Sequence, residues 1–253
     1  MRGLKGKVVV IVGAATGIGK ATAIRLAEEG VSLALGDINV AGVEAVALQV
    51  NEAGGRAVAQ ACDISDDASV KALVDAAVRI YGGIDFMHAN AADLAIIFSD
   101  TNAVDVPLEV FDRTIAVNLR GHLLCTRHAI PELQKRGGGA IVYTSSGAAY
   151  AGEPERVSYA MSKSGINALM RHVASRWGKE GIRSNAIAPG VVLTESSTVT
   201  MPQAMRDMIL AMGRSPRLGC PDDIAAMVAM LFSDDGEWIN GQVVSVDGGV
   251  TLR

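Results

Sequence analysis

Along the chain, short apolar runs alternate with longer stretches in which apolar residues recur every three or four positions. Lys7–Val12, Val31–Gly36, Arg56–Ala61, Ile84–Ala89, Ala140–Thr144 and Ile182–Ile187 read as buried strands. Ile18–Glu29, Val40–Ala53, Asp66–Tyr81, Pro107–Gln134 and Ser158–Trp177 read as helices. Gly30, Gly54-Gly55, Gly82-Gly83 and Gly137-Gly138-Gly139 fall between these elements as turn residues. Strand–helix alternation of this kind predicts a parallel sheet, because parallel neighbours need a crossover connection. The expected fold class is α/β, a doubly wound parallel sheet of the Rossmann type. No repeat or composition break divides residues 1–253, so one domain is expected. The stretch Val191–Arg217 has no clear strand and carries two prolines, and it reads as a lid over a substrate site.

Composition narrows the function. Of 253 residues, 49% are hydrophobic and 20% charged, which supplies a large core and excludes a disordered chain. The net charge is -4 with no block of Lys or Arg, so the counterion release that drives nucleic-acid binding has no source. Cys62, Cys125 and Cys220 are odd in number and far apart, which disfavours a disulfide framework and fits a reducing compartment. The apolar run Val8–Val12 is too short for a signal peptide, and no stretch approaches the roughly 18 apolar residues of a membrane span. A cytoplasmic protein with no membrane partner is expected.

Two constellations carry chemistry. Gly13-Ala14-Ala15-Thr16-Gly17-Ile18-Gly19 joins the first strand to the first helix, a place where backbone N–H groups and the helix dipole favour a pyrophosphate. The same residues could equally form a tight turn with no ligand. Asp37 ends the second strand, 20 residues after Gly17, where a carboxylate can accept hydrogen bonds from ribose hydroxyls. It would repel a 2′-phosphate, and no Lys or Arg at Ala14, Ala15, Ile38 or Asn39 offsets it, so NAD is favoured over NADP. The second constellation is Tyr159-Ala160-Met161-Ser162-Lys163, which sets a phenol and an ammonium on one helix face. A phenol with a pKa of about 10 needs roughly 3–4 kcal/mol of help to act as a base near neutrality. A cation about 4 Å away supplies energy of that order at an effective dielectric near 20.

Taken in order, these residues resemble the short-chain dehydrogenase/reductase family in its compact subgroup of about 250 residues. The matching set also includes Asp63, Asn90-Ala91, Asn118-Leu119-Arg120-Gly121, Ser145-Ser146, Asn185-Ala186-Ile187-Ala188-Pro189-Gly190, Gly241 and Val246-Asp247-Gly248-Gly249. The resemblance implies that Ser146 holds the substrate oxygen, Tyr159 exchanges a proton with it, and Lys163 tunes the tyrosine and binds the nicotinamide ribose. Asn118 would hold a water linking Lys163 to solvent. Gly13, Thr16, Gly17, Ile18, Gly19, Asp37, Asp63, Ile64, Asn90 and Ala91 would bind the adenosine and pyrophosphate side. Pro189, Gly190, Val192 and Thr194 would position the nicotinamide. The implied reaction is NAD-dependent interconversion of a secondary alcohol and a ketone, in a homotetramer contacting through Pro107–Gln134 and Ser158–Trp177. An NADPH-dependent ketoreductase of the 3-oxoacyl carrier-protein reductase type, a nucleotide-sugar epimerase or dehydratase, and a non-catalytic NAD-binding protein are the alternatives. The chain departs from the family pattern at Val12 and Ala89, where a Thr and an Asn are usual. A side-chain bond between those strand ends is therefore expected to be missing, with some loss of local rigidity.

Other signals point elsewhere. His122, Cys125 and His128 fan by about 120° around a helix, too wide for one metal ion, and no metal is expected. Met205, Met208 and Met212 recur at helical spacing, either as a flexible cover over a bulky substrate or as ordinary packing. Arg206, Arg214 and Arg217 could meet an anionic substrate but read more simply as solvated.

Overall fold

In the computed structural model, which describes residues 1–195 and 201–252, the β-branched run Val8–Val12 forms β1, and all five residues are buried. Alternate side chains enter two cores: Val8, Val10 and Val12 face one layer of helices, Val9 and Ile11 the other. The chain continues through α1 (Gly17–Glu28), β2 (Ser32–Asp37), α2 (Val40–Glu52), β3 (Arg56–Ala61), α3 (Asp67–Tyr81) and β4 (Phe86–Ala89). It then runs through α4 (Leu108–Ile115), a π-helical turn (Ala116–Arg120), α5 (Gly121–Lys135), β5 (Gly139–Thr144), α6 (Val157–Trp177) and β6 (Ile182–Pro189). The remainder forms α7 (Gln203–Met212), α8 (Pro221–Phe232) and β7 (Val243–Val246).

The seven strands make one parallel sheet in the order β3-β2-β1-β4-β5-β6-β7. The expected α/β doubly wound architecture is therefore present. From β1 the chain winds outward to β3 and then returns to place β4 on the other side of β1. That reversal opens a crevice at the carboxyl ends of β1 and β4. Local signals set the element ends: Asp66 caps α3 by accepting from Ser69 N (3.0 Å), and Gly82 closes it at φ 80°.

Two elements exceed the sequence reading. α8 carries Pro221 in its first turn and two aspartates behind it, then a run of apolar residues. Ile224, Val228, Ala229 and Phe232 share the core with Ala23 and Leu26 of α1, and Phe232 stacks on Phe86 with ring centroids 4.7 Å apart. β7 has only four residues and pairs with Ala186–Pro189. In the stretch expected as a lid, residues 203–212 are helical with no buried side chain, and residues 196–200 lie outside the described residues.

Phe232→Ala removes a buried ring from the joint between α8 and β4. It is expected to lower unfolding free energy by about 3–5 kcal/mol in denaturant titration.

Candidate active site

The carboxyl ends of six strands line a cleft of about 620 Å³. One end is built by the turn between β1 and α1. Gly13 has φ 87°, and a Cβ there would lie 2.7 Å from the backbone of Ala91. A Cβ at Gly19 would lie 1.8 Å from the Gly13 carbonyl oxygen, so only glycine lets α1 begin this close to β1. No side chain caps the first turn of α1 and no acidic residue lies in it, which leaves its N–H groups to an external anion. At the tip of β2, Asp37 is fixed on both oxygens: Oδ2 accepts from Ala15 N and Oδ1 from Asn39 N, each at 2.9 Å. Asp63 and Ile64 follow β3, and Asp63 Oδ1 accepts from Ser65 N (2.8 Å) and Ser65 Oγ (2.7 Å). A glycine cradle, an uncapped helix start and a fixed carboxylate together fit a dinucleotide.

The strand ends near the turn are not slack, contrary to the expectation from Val12 and Ala89. Val12 O accepts from both Asn90 N (3.1 Å) and Ala91 N (2.9 Å). Asn90 Nδ2 donates to Gly13 O (2.8 Å), and Thr144 Oγ1 donates to Asn90 Oδ1 (2.9 Å). Because the Thr144 proton is committed there, His88 Nε2 (3.0 Å) must be the donor to Thr144 Oγ1. Burial pushes His88 down to about 3, so it stays neutral and structural. The tie missing at Val12 and Ala89 is made instead by Asn90, Thr144 and His88.

At the other end, β5 delivers Thr144, Ser145 and Ser146, while α6 delivers Tyr159 and Lys163. Both side chains face the cleft, with Lys163 Nζ 5.5 Å from the Tyr159 ring centroid. Nζ donates to Thr144 O (2.9 Å) and is otherwise enclosed; burial lowers its ammonium to about 7. Burial also raises the Tyr159 phenol, while the neighbouring Ser146 hydroxyl lowers it in part. The spacing argument, in which a lysine charge pulls the phenol down, therefore does not describe the ligand-free cleft. Desolvation dominates both groups.

Asn118 sits in the π-helical turn, where its Oδ1 accepts from Asp93 N (2.8 Å); Nδ2 is buried with no partner among the described residues. Pro189, Gly190, Val192 and Thr194 line the cleft below β6. Gly19 and Asn118 stand behind its wall; the other predicted residues line it directly. Arg113, paired with Asp93 at 2.6 Å, and Leu94 also line the cleft, although the sequence reading passed over them. Leu94 belongs to an irregular segment with no periodicity to expose it, whereas Arg113 is a helical residue of α4 that no motif marks. His122 is buried, whereas His128 pairs with Asp67, and no group of metal-binding residues occurs among the described residues. No helix among the described residues is long and apolar enough to cross a membrane.

Lys163 carries a linkage signature. Its folded pKa (about 7) lies below the unfolded value of about 10.4, so between them the unfolded chain binds more protons and stability rises with pH. The penalty is complete below about pH 7 and gone above about 10.4. Lys163→Met is expected to flatten this rise, as read from melting temperatures between pH 6 and 10.

Residues 13–251 match the family model described as enoyl-(acyl carrier protein) reductase. A Bradyrhizobium diazoefficiens protein named probable short-chain type dehydrogenase/reductase is 42% identical over 246 residues, covering 97% of this chain and 88% of that one. The D-threitol dehydrogenase of Mycolicibacterium smegmatis is 37% identical over 250 residues, covering 99% and 95%. A solved 7α-hydroxysteroid dehydrogenase, complexed with NADH and 7-oxo-glycochenodeoxycholic acid, superposes with a TM-score of 0.91 at 33% identity, covering 99% of this chain and 97% of that one. With the sheet order and the cleft already described, these matches establish that the chain belongs to the short-chain dehydrogenase/reductase family of oxidoreductases.

Proposed function

We propose that this chain is an NAD-dependent dehydrogenase that interconverts a secondary alcohol and a ketone. The observation that carries the reading is the convergence of Ser146, Tyr159 and Lys163 at one end of a cleft whose other end holds the fixed Asp37 carboxylate. The nicotinamide supplies hydride acceptance and donation. The chain's own residues orient the reactants and manage the proton. Ser146 hydrogen-bonds the substrate oxygen, and Tyr159 takes the hydroxyl proton in oxidation or returns it in reduction. Lys163, anchored on Thr144 O, would hold the cofactor's ribose. A cationic group bound beside Tyr159 would favour the phenolate that burial disfavours in the ligand-free protein.

Asp37 supports NAD. A 2′-phosphate about 4 Å from this carboxylate would meet a repulsion of about 4 kcal/mol at an effective dielectric near 20. The exposed methionines Met205, Met208 and Met212 of α7 support a cover suited to an apolar substrate. Exposed Leu108, Leu123 and Met161, on α4, α5 and α6, support the expected homotetramer contacts. Lack of a membrane-spanning helix among the described residues is consistent with the proposed cytoplasmic setting.

A panel of steroid, cyclic, sugar-derived and hydroxy-acid alcohols tested with NAD and NADP decides the reading. NAD is expected to give a kcat/KM at least about 100-fold above NADP, and Asp37→Asn to bring the two within about tenfold. A preference for NADP would favour the 3-oxoacyl carrier-protein reductase type instead. Tyr159→Phe is expected to reduce kcat by about 100-fold or more. Unchanged turnover in that variant would remove tyrosine from proton transfer.

A further inference from the structure

The irregular segment between Asn90 and Pro107 meets the catalytic helix at one buried residue. Asp100 is only 3% exposed, and its carboxylate accepts two backbone hydrogen bonds from the start of α6: Oδ1 from Ser158 N (3.1 Å) and Oδ2 from Tyr159 N (2.8 Å). The main chain adds two more, with Arg156 N donating to Asp100 O (2.9 Å) and Val157 N to Thr101 O (3.3 Å). Four successive N–H groups, Arg156 to Tyr159, are thus taken by two residues more than fifty positions earlier. A helix is ordinarily capped by the residue just before it. Here that residue, Arg156, lies in the left-handed region at φ 66°, makes no side-chain cap, and turns its guanidinium to Glu153.

Among the described residues, no cation forms an ion pair with Asp100. The charge is held by the N–H groups and by the positive end of the α6 dipole. The same segment begins with Asn90 and Ala91 beside the glycine turn, and passes through Asp93, which holds Asn118. It therefore touches the nucleotide cradle, the π-helical turn and the phenol-bearing helix in sequence.

We propose that Asp100 is a positioning residue for Tyr159, fixing the first turn of α6 so that the phenol meets Ser146 and the substrate oxygen. The inference rests on the proton-transfer role given to Tyr159 above. Farther along α6, Ile166, Met170 and Val173 are fully buried, so the body of the helix is held by packing whatever happens at its start. Tyr159 is the third residue of α6, within the turn that the carboxylate holds. Loss of this cap moves the reacting group while leaving the fold intact.

The test compares the full chain with Asp100→Asn, which keeps the volume and one acceptor but turns an amide NH2 toward a backbone N–H. Asp100→Ala is the harsher companion, and should it fail to fold, the asparagine variant carries the test. Expected for Asp100→Asn are hydrogen exchange at the Ser158 and Tyr159 amides accelerated about tenfold or more, unchanged exchange from Ile166 to Val173, and kcat lowered about tenfold or more with the NADH Kd within twofold. A kcat within twofold of the parent, despite faster exchange, reduces Asp100 to a structural cap and overturns the proposal. So does unchanged exchange. If the parent turns over no alcohol with NAD, the dehydrogenase reading fails separately. The Tyr159 phenol is then titrated in the ligand-free protein by NMR of ring-labelled tyrosine, assigned with Tyr159→Phe. Burial holds the phenol up, so water admitted by a loosened first turn is expected to lower its midpoint by about half a unit or more; an unmoved midpoint overturns the inference.

Discussion

Thr144 is the residue on which both ends of the cleft hang. Its carbonyl receives the Lys163 ammonium, while its hydroxyl accepts from His88 and donates to Asn90, whose amide grips the Gly13 carbonyl. The lysine beside the phenol and the glycine turn are thus referenced to one strand end. The histidine and lysine bonds are buried, and in such surroundings a polar group left unpaired is costly. Geometry at one end is thereby transmitted to the other without any moving part.

The cleft has two electrostatic characters. Around Asp37 a carboxylate is locked by backbone amides on both oxygens. Around Tyr159 and Lys163 burial opposes charge on both groups. The two regions lie along one groove at the carboxyl ends of the strands.

Most of this was legible in the residues because the relevant signals are local. The β-branched run of β1, the glycine turn, Asp37 and the Tyr159–Lys163 spacing each depend on positions near one another in the chain. Six of the seven strands could be read from short apolar runs. β7 is too short to show a pattern, and α8 was passed over although Pro221 with Asp222 and Asp223 before an apolar run is a helix-start signal. What was not legible is non-local. The tie made by Asn90, Thr144 and His88 joins three strand ends, and nothing in the separation of these residues announces it. The lowered lysine and raised phenol depend on enclosure by the whole fold, which a four-residue spacing cannot report. The lysine's charge is visible in sequence, while the desolvation of both groups is not.

The contact between α1 and α8 joins opposite ends of the chain: Leu26 and Ala23 share a core with Val228 and Phe232, and Arg2 pairs with Asp235. A polypeptide leaving the ribosome at about 5–20 residues per second completes α1 well before the helix that covers it. During that interval the glycine turn exists without the layer that presses it against the sheet, and an apolar helix face is uncovered. Synthesis therefore passes through a window, closed only when residues 221–232 emerge, in which this face stands open to solvent.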